Sequence, residues 1–318
     1  SQISPIESGH NPERVPGLDG SPVSYLIITN NELESTFQQL ADYRTSIGMP
    51  AAVRTIEWIE SNCRNGADIQ ETIRFFISDA YEQWGLEYVV IGGDTDVVPA
   101  RFIKDYLYGA AGYTEIPADL YFACLDGNWN GDGDDTYGEV STTYGDDLCD
   151  MASEVALGRI PSSTVHETQD YIAKVILYEG QSAGVTWTNG FLAAAEVLFW
   201  IDEVTPSTDG ASFAEDLIND FVVPCTDMSF TRYYENYTVY PGSLDETKDA
   251  VISAINSNQY GIMSQIGHGF FFDMSLGEGV FTVSDADALE NHEHPMLLFA
   301  LNCASAAFDY SCLMERLV

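Results

Sequence analysis

Four short apolar runs, YLIIT (Tyr25 to Thr29), AAVRTI (Ala51 to Ile56), YVVIGG (Tyr88 to Gly93) and EVALGRIP (Glu154 to Pro161), recur through the first half of the chain. Between them lie segments with apolar residues at helical spacing, such as ELESTFQQLADYRTSIG and the stretch from Asp68 to Gln83. Short runs that are apolar on both faces, alternating with amphipathic helices, belong to a mostly parallel sheet covered by helices. The second half repeats the alternation. Its runs are FLAAAEVLFW, MSFTRYYENYTVY, GIMSQIGHGF and PMLLFALNC, with helices expected over 165–180, 209–221 and 243–257. The fold class is therefore α/β. Residues 1–22 read as an irregular arm, 23–164 as a first α/β subdomain and 165–318 as a similar second one, with GRIPSST closing the first series.

Composition narrows the function. With 318 residues and 45% hydrophobic composition the chain can fill a large core. Fifty acids against 12 bases give a net charge of -38, which repels phosphate backbones and anionic lipid surfaces, so neither nucleic acid nor membrane is expected as a partner. Six cysteines are too few to scaffold a chain of this length; Cys124 and Cys149 bracket a polar insertion and are candidates to staple it. The chain begins at Ser1 without a methionine, consistent with removal of a leader or with trimming.

The chemistry gathers at two strand ends. GIMSQIGHGF places His268 between two glycines just past an apolar run. Reactive groups in open α/β sheets collect beyond the carboxyl ends of strands, and Gly267 and Gly269 let another chain approach the backbone there. The next apolar run ends at Cys303, 35 residues later. Consecutive strands are usually spatial neighbours, so the imidazole and the thiol are expected side by side. ASAAFDYSCLMERL reads as a helix, which would set the sulfur at a helix N-terminus.

These two residues, with IGGDTDVVPAR, DLYFACLDGNWNGDGD and EVALGRIP, resemble the gingipain family of cysteine peptidases in the caspase-like clan, from about Tyr25 onward. The resemblance implies a caspase-like fold and an exported, calcium-stabilised endopeptidase that cleaves polypeptides, with a preference for a basic P1 residue. It implies that Cys303 is the nucleophile, His268 the general acid/base, and Glu154 the acid supporting the histidine. Backbone N–H groups of Gly269 and Cys303 would then form an oxyanion hole. The acid that would receive a basic side chain is not assigned; Glu167, Asp273 and Glu278 are the candidates. Gingipain catalytic domains continue past the point matching Val318, so a C-terminal companion segment or chain is expected to complete the domain. The alternatives are a non-catalytic calcium-dependent binding or adhesion module on the same scaffold, and a clostripain-like or legumain-like peptidase with another P1 preference.

NWNGDGDDTYGE, read from Asn128, has the oxygen-ligand spacing of an EF-hand loop: Asn128, Asn130, Asp132, a glycine at the sixth place, Asp134 and Glu139, with Asp126 just outside the frame. Structural Ca²⁺ is the expected cofactor. His292-Glu293-His294 lacks an identifiable third ligand and reads as exposed polar residues.

Overall fold

A computed structural model describes residues 22–104, 115–139, 147–149, 151–181, 185–202, 205–225 and 227–318. Nearly all of the expected N-terminal arm, and part of the acidic insertion, lie outside these residues. The chain divides into two compact units at Ile172/Ala173.

In the first unit, β1 (Tyr25–Thr29), β2 (Ala51–Thr55), β3 (Tyr88–Gly92), and later β6 (Ala156–Ile160), form a wholly parallel sheet in the order β2-β1-β3-β6. Every residue of β1 is buried, which explains why its sequence is apolar without alternation. The connections are helices: α1 (Glu34–Ser46), α2 (Ile56–Asn62) and α3 (Ile69–Trp84). Asp68 caps α3 by accepting the Glu71 N–H at 2.8 Å, and Gly85 ends it at φ 72° in the left-handed region. A small antiparallel pair, β4 (Phe102–Lys104) and β5 (Glu115–Pro117), leads to the one-turn helix α4 (Leu120–Ala123); α5 (Val165–Glu179) follows β6.

The motif arginines of this unit hold strand ends together. Arg159 sends two bonds to Asp119, at 2.6 and 2.8 Å, and two more to the carbonyls of Gly93 and Val98 at 2.7 and 2.8 Å. Both ionic side chains are almost fully buried. Removing one partner of such a pair strands the other charge, so Asp119→Ala is expected to cost about 3 to 5 kcal/mol. Urea unfolding followed by tryptophan fluorescence checks this; a loss near zero would contradict it.

The second unit repeats the logic with five parallel strands in the order β11-β10-β7-β12-β16. These are β7 (Gly190–Ala195), β10 (Ser229–Tyr234), β11 (Leu244–Asp245), β12 (Ile262–Ile266) and β16 (Leu297–Leu301). Alternation along β7 divides the core into two layers. Leu192 and Ala194 pack with Val251 of α7 (Lys248–Ile255), with Leu313 of α9 (Leu313–Leu317), and with Met274, Leu276 and Phe281. Phe191, Ala193 and Ala195 pack on the opposite face with Ala211 and Ala214 of α6 (Gly210–Leu217). The sheet is thus covered on both faces, as expected for the fold class. Each large apolar side chain buried in these layers contributes about 1.5 to 3 kcal/mol.

Two additions and one missing helix were not legible beforehand. FLAAAEVLFW is two strands: after Glu196 the chain enters β8 (Val197–Trp200), which forms an antiparallel hairpin with β9 (Pro206–Asp209). Between β12 and β16 stands a small antiparallel sheet, β13 (Gly269–Phe270), β14 (Asp273–Leu276) and β15 (Gly279–Thr282), followed by α8 (Val283–Asp287) with a Thr282/Asp285 capping box. The expected helix directly after Cys303 does not form. Ala304 takes φ 56°, the Ser305 hydroxyl bonds the Asn302 side chain, and the chain turns until α9 begins at Leu313.

Candidate active site

His268 and Cys303 stand at matching places on neighbouring strands. Ile266 of β12 is in register with Leu301 of β16, and each reactive residue follows two positions later. The two loops touch: Gly267 N–H donates to the Leu301 carbonyl at 3.2 Å. A Cβ built on Gly269 would lie 2.8 Å from Asn302 Cγ, so only glycine admits the Cys303 loop at this distance. Asn302 in turn donates to Gln265 on β12 at 2.8 Å. Leu313 N–H bonds the Phe271 carbonyl at 2.7 Å, tying the segment after Cys303 to the segment after His268. Both His268 and Cys303 are exposed.

The imidazole is held from one side. Nε2 of His268 meets the Leu198 carbonyl at 2.8 Å, a contact in which the nitrogen donates, leaving Nδ1 as the basic atom. The Phe199 ring packs edge-on against the imidazole, with centroids 5.6 Å apart.

The carboxylate this unit brings to the histidine is Glu196, at the end of β7. Its Oε2 accepts the His268 backbone N–H at 3.0 Å. A Cβ on Gly267 would come 2.6 Å from the same oxygen, so the glycine before the histidine makes room for the acid. Burial pushes the Glu196 carboxyl above the ordinary range, while the His268 N–H and the imidazole's charge oppose the rise. Sequence reasoning passed over Glu196; the available signal was an acid ending a wholly buried apolar run. Glu154 belongs to the first unit, where its Oε2 accepts the Leu125 N–H at 2.6 Å.

Behind Glu196 lies Glu246, just past β11 and only 1% exposed. Burial, and then the charges of Glu196 and Glu235, push its carboxyl up to about 9. The folded chain keeps a proton that the unfolded chain releases near pH 4.5, so stability falls as pH rises from about 4.5 to about 9. Glu246→Gln removes that loss. Its Tm is expected to exceed wild type by several degrees at pH 8 and to match it near pH 4; equal Tm values at pH 8 in thermal scans would contradict this.

Of the acids considered for a basic substrate group, Glu167 caps α5, accepting the N–H groups of Ser163 and Thr164 at 2.9 and 3.0 Å. Asp273 and Glu278 lie on the β14–β15 hairpin.

In the acidic loop of the first unit, Asp132, Asp134 and Glu139 bring one carboxylate oxygen each to within 4.8 Å of one another. Left-handed Gly133 (φ 74°) and Asp135 (φ 69°) make the turn that gathers them. Asn128 and Asn130 use their side-chain oxygens on the N–H groups of Asn130 and Asp134, at 3.2 and 3.1 Å. Asp147 braces the loop from outside, accepting from Glu139 N–H at 2.8 Å and from Gly131 N–H. Asp126 lies in the field of Arg74 rather than in the carboxylate group. Cys124 and Cys149 are both thiols, so no disulfide staples the insertion.

Two parallel sheets flanked by helices, with a histidine and a cysteine ending adjacent strands, define a caspase-like α/β protein. Residues 19–318 match the sequence profile of Peptidase family C25, and the chain belongs to that family. The crystal structure of the Arg-specific cysteine proteinase gingipain R (RgpB) is similar at TM-score 0.66 and 18% identity, over 95% of this chain and 60% of that one. The complex of Porphyromonas gingivalis RgpB pro- and mature domains matches at TM-score 0.66 and 19% identity, over 92% of this chain and 59% of that one. The chain therefore spans about three fifths of the length of these solved relatives. No curated protein sequence matches it.

Proposed function

We propose that the chain is the catalytic part of a cysteine endopeptidase that hydrolyses polypeptides through Cys303 and His268. The observation that carries this reading is the parallel register of β12 and β16, which sets both exposed side chains at the same step past neighbouring strand ends. The Cys303 sulfur, as thiolate, attacks the scissile carbonyl carbon. The imidazolium gives its proton to the leaving amine, and a water then hydrolyses the thioester, returning its proton through the same ring. Gly269 and Cys303 N–H groups receive the developing oxyanion: in the β13–β14 ladder His268 O takes the Ser275 N–H, and Gly269 faces Met274 at a non-bonded position. Glu196, tied to the histidine backbone, orients the ring and offsets its charge.

A preference for a basic P1 residue, export and a structural Ca²⁺ complete the reading. Asp132, Asp134 and Glu139 supply hard oxygens at a spacing suited to Ca²⁺, with Asn130 beside them. A companion segment is supported by β16, the edge strand: Leu297, Phe299 and Leu301 all stand exposed along one side of it.

Cleavage of a mixed peptide library, with and without a calcium chelator, tests these parts together. Hydrolysis concentrated after Arg or Lys, with Tm falling by several degrees under chelator, is expected. Absence of any cleavage would sink the peptidase reading, and an unchanged Tm would remove the metal.

A further inference from the structure

The β8–β9 hairpin is anchored at its root and carries exposed apolar residues at the end of β8. Val197 N–H donates to Glu235 Oε2 at 2.7 Å, and Gly210 N–H to the Glu196 carbonyl at 2.9 Å, so the hairpin leaves the sheet at the acid that holds His268. Beyond that root come three successive large apolar residues: Phe199 is 59% exposed, Trp200 42% and Ile201 71%. Single exposed apolar residues are ordinary, but a contiguous group beside reactive side chains marks a binding surface. Phe199 touches the imidazole itself. On the other side of His268 in sequence, the exposed Phe270 packs on Phe271 at 4.5 Å, and Phe271 stacks on Tyr310 at 4.5 Å. One aromatic thus packs on the histidine, and a second group, starting two residues after it, continues into the loop that follows Cys303.

We propose that Phe199, supported by Trp200 and Ile201, together with Phe270, recognises a large apolar side chain of the polypeptide substrate next to the scissile bond. This rests on the reading of Cys303 and His268 as the reactive pair. A peptide whose carbonyl meets Cys303 must pass His268, and the ring covering His268 is Phe199. In a chain carrying a net charge of -38, exposed apolar area such as that of Phe199, Trp200, Ile201 and Phe270 suits an apolar group of the substrate. The recognition is separate from the P1 preference and acts at a neighbouring position of the substrate.

The test uses the full chain with peptides randomised at P1 and carrying either Leu/Phe or Ser/Asn at each flanking position. At one flanking position wild type is expected to favour the apolar peptides by about tenfold or more in kcat/KM, mainly through KM. Phe199→Ser and Trp200→Ser reduce that ratio to below about threefold, whereas Phe199→Leu retains it. A wild type indifferent to flanking residues, or a preference untouched in both serine variants, overturns the proposal. Iodoacetamide labelling of Cys303 in the same samples separates the two layers. Reactive Cys303 without flanking preference removes this inference alone, and cleavage persisting in Cys303→Ala removes the reading beneath it.

Discussion

Cys303→Ala is expected to lower kcat/KM for peptide hydrolysis by about 10,000-fold or more, with Tm within about 2 °C of wild type. The size of the loss follows from the arrangement. In the proposed mechanism the sulfur forms the acyl intermediate, and the other two thiols of the second unit stand elsewhere: Cys312 is buried and follows a separate turn, and Cys225 sits after α6 with its sulfur against the Phe221 carbonyl at 3.3 Å. The thermal indifference follows from exposure, since a side chain already in water gives up little burial on truncation. Hydrolysis assays and thermal scans on the same preparations check both halves. Retained activity would contradict the role of Cys303, whereas a collapse in Tm would show that the residue matters for folding instead.

Glu196→Gln is the second large effect, expected to lower kcat/KM by about 100-fold. The amide oxygen can still accept the His268 N–H, so the backbone bond survives in geometry, but the negative charge beside the imidazolium is lost. Glu196→Ala, which removes the acceptor as well as the charge, is expected to lose more than the glutamine variant. Burial disfavours the Glu196 carboxylate, and a neutral amide escapes that cost, so the glutamine variant should be at least as stable as wild type at neutral pH. A rate loss under about threefold in both variants would contradict the positioning role.

The sequence made the parallel sheets legible because buried parallel strands have to be apolar on both faces, and YLIIT and YVVIGG satisfy that without ambiguity. The adjacency of the two strands that end near His268 and Cys303 was legible because consecutive strands are usually spatial neighbours. Three features escaped. β8 lay hidden inside one apolar run because the break from β7 at Glu196 leaves no glycine or proline signal at the junction. Glu196 reaches His268 across 72 residues, a contact set by sheet order rather than by local pattern. The helix expected after Cys303 failed because Asn302 and Ser305 offer side-chain bonds that compete with the first helical turn, and Ala304 leaves the right-handed region to accept them.

The motifs that carried the resemblance divide by role. Arg159 of EVALGRIP and Arg101 of IGGDTDVVPAR hold the first unit together, the latter through Asp68 at the start of α3 at 2.7 Å. The residues proposed to react stand past two strand ends of the second unit. The acidic spacing was legible in NWNGDGDDTYGE: Asp132, Asp134 and Glu139 gather their carboxylates, while Asn128 and Asn130 accept N–H groups of the loop itself.

The most direct measurement is the site of modification by substoichiometric iodoacetamide, mapped by peptide mass spectrometry while residual hydrolysis is followed in the same tube. Alkylation of Cys303 ahead of the exposed Cys225, with activity falling in proportion to its occupancy, is the expected result. Labelling of Cys225 first, or full occupancy of Cys303 with hydrolysis intact, would contradict it.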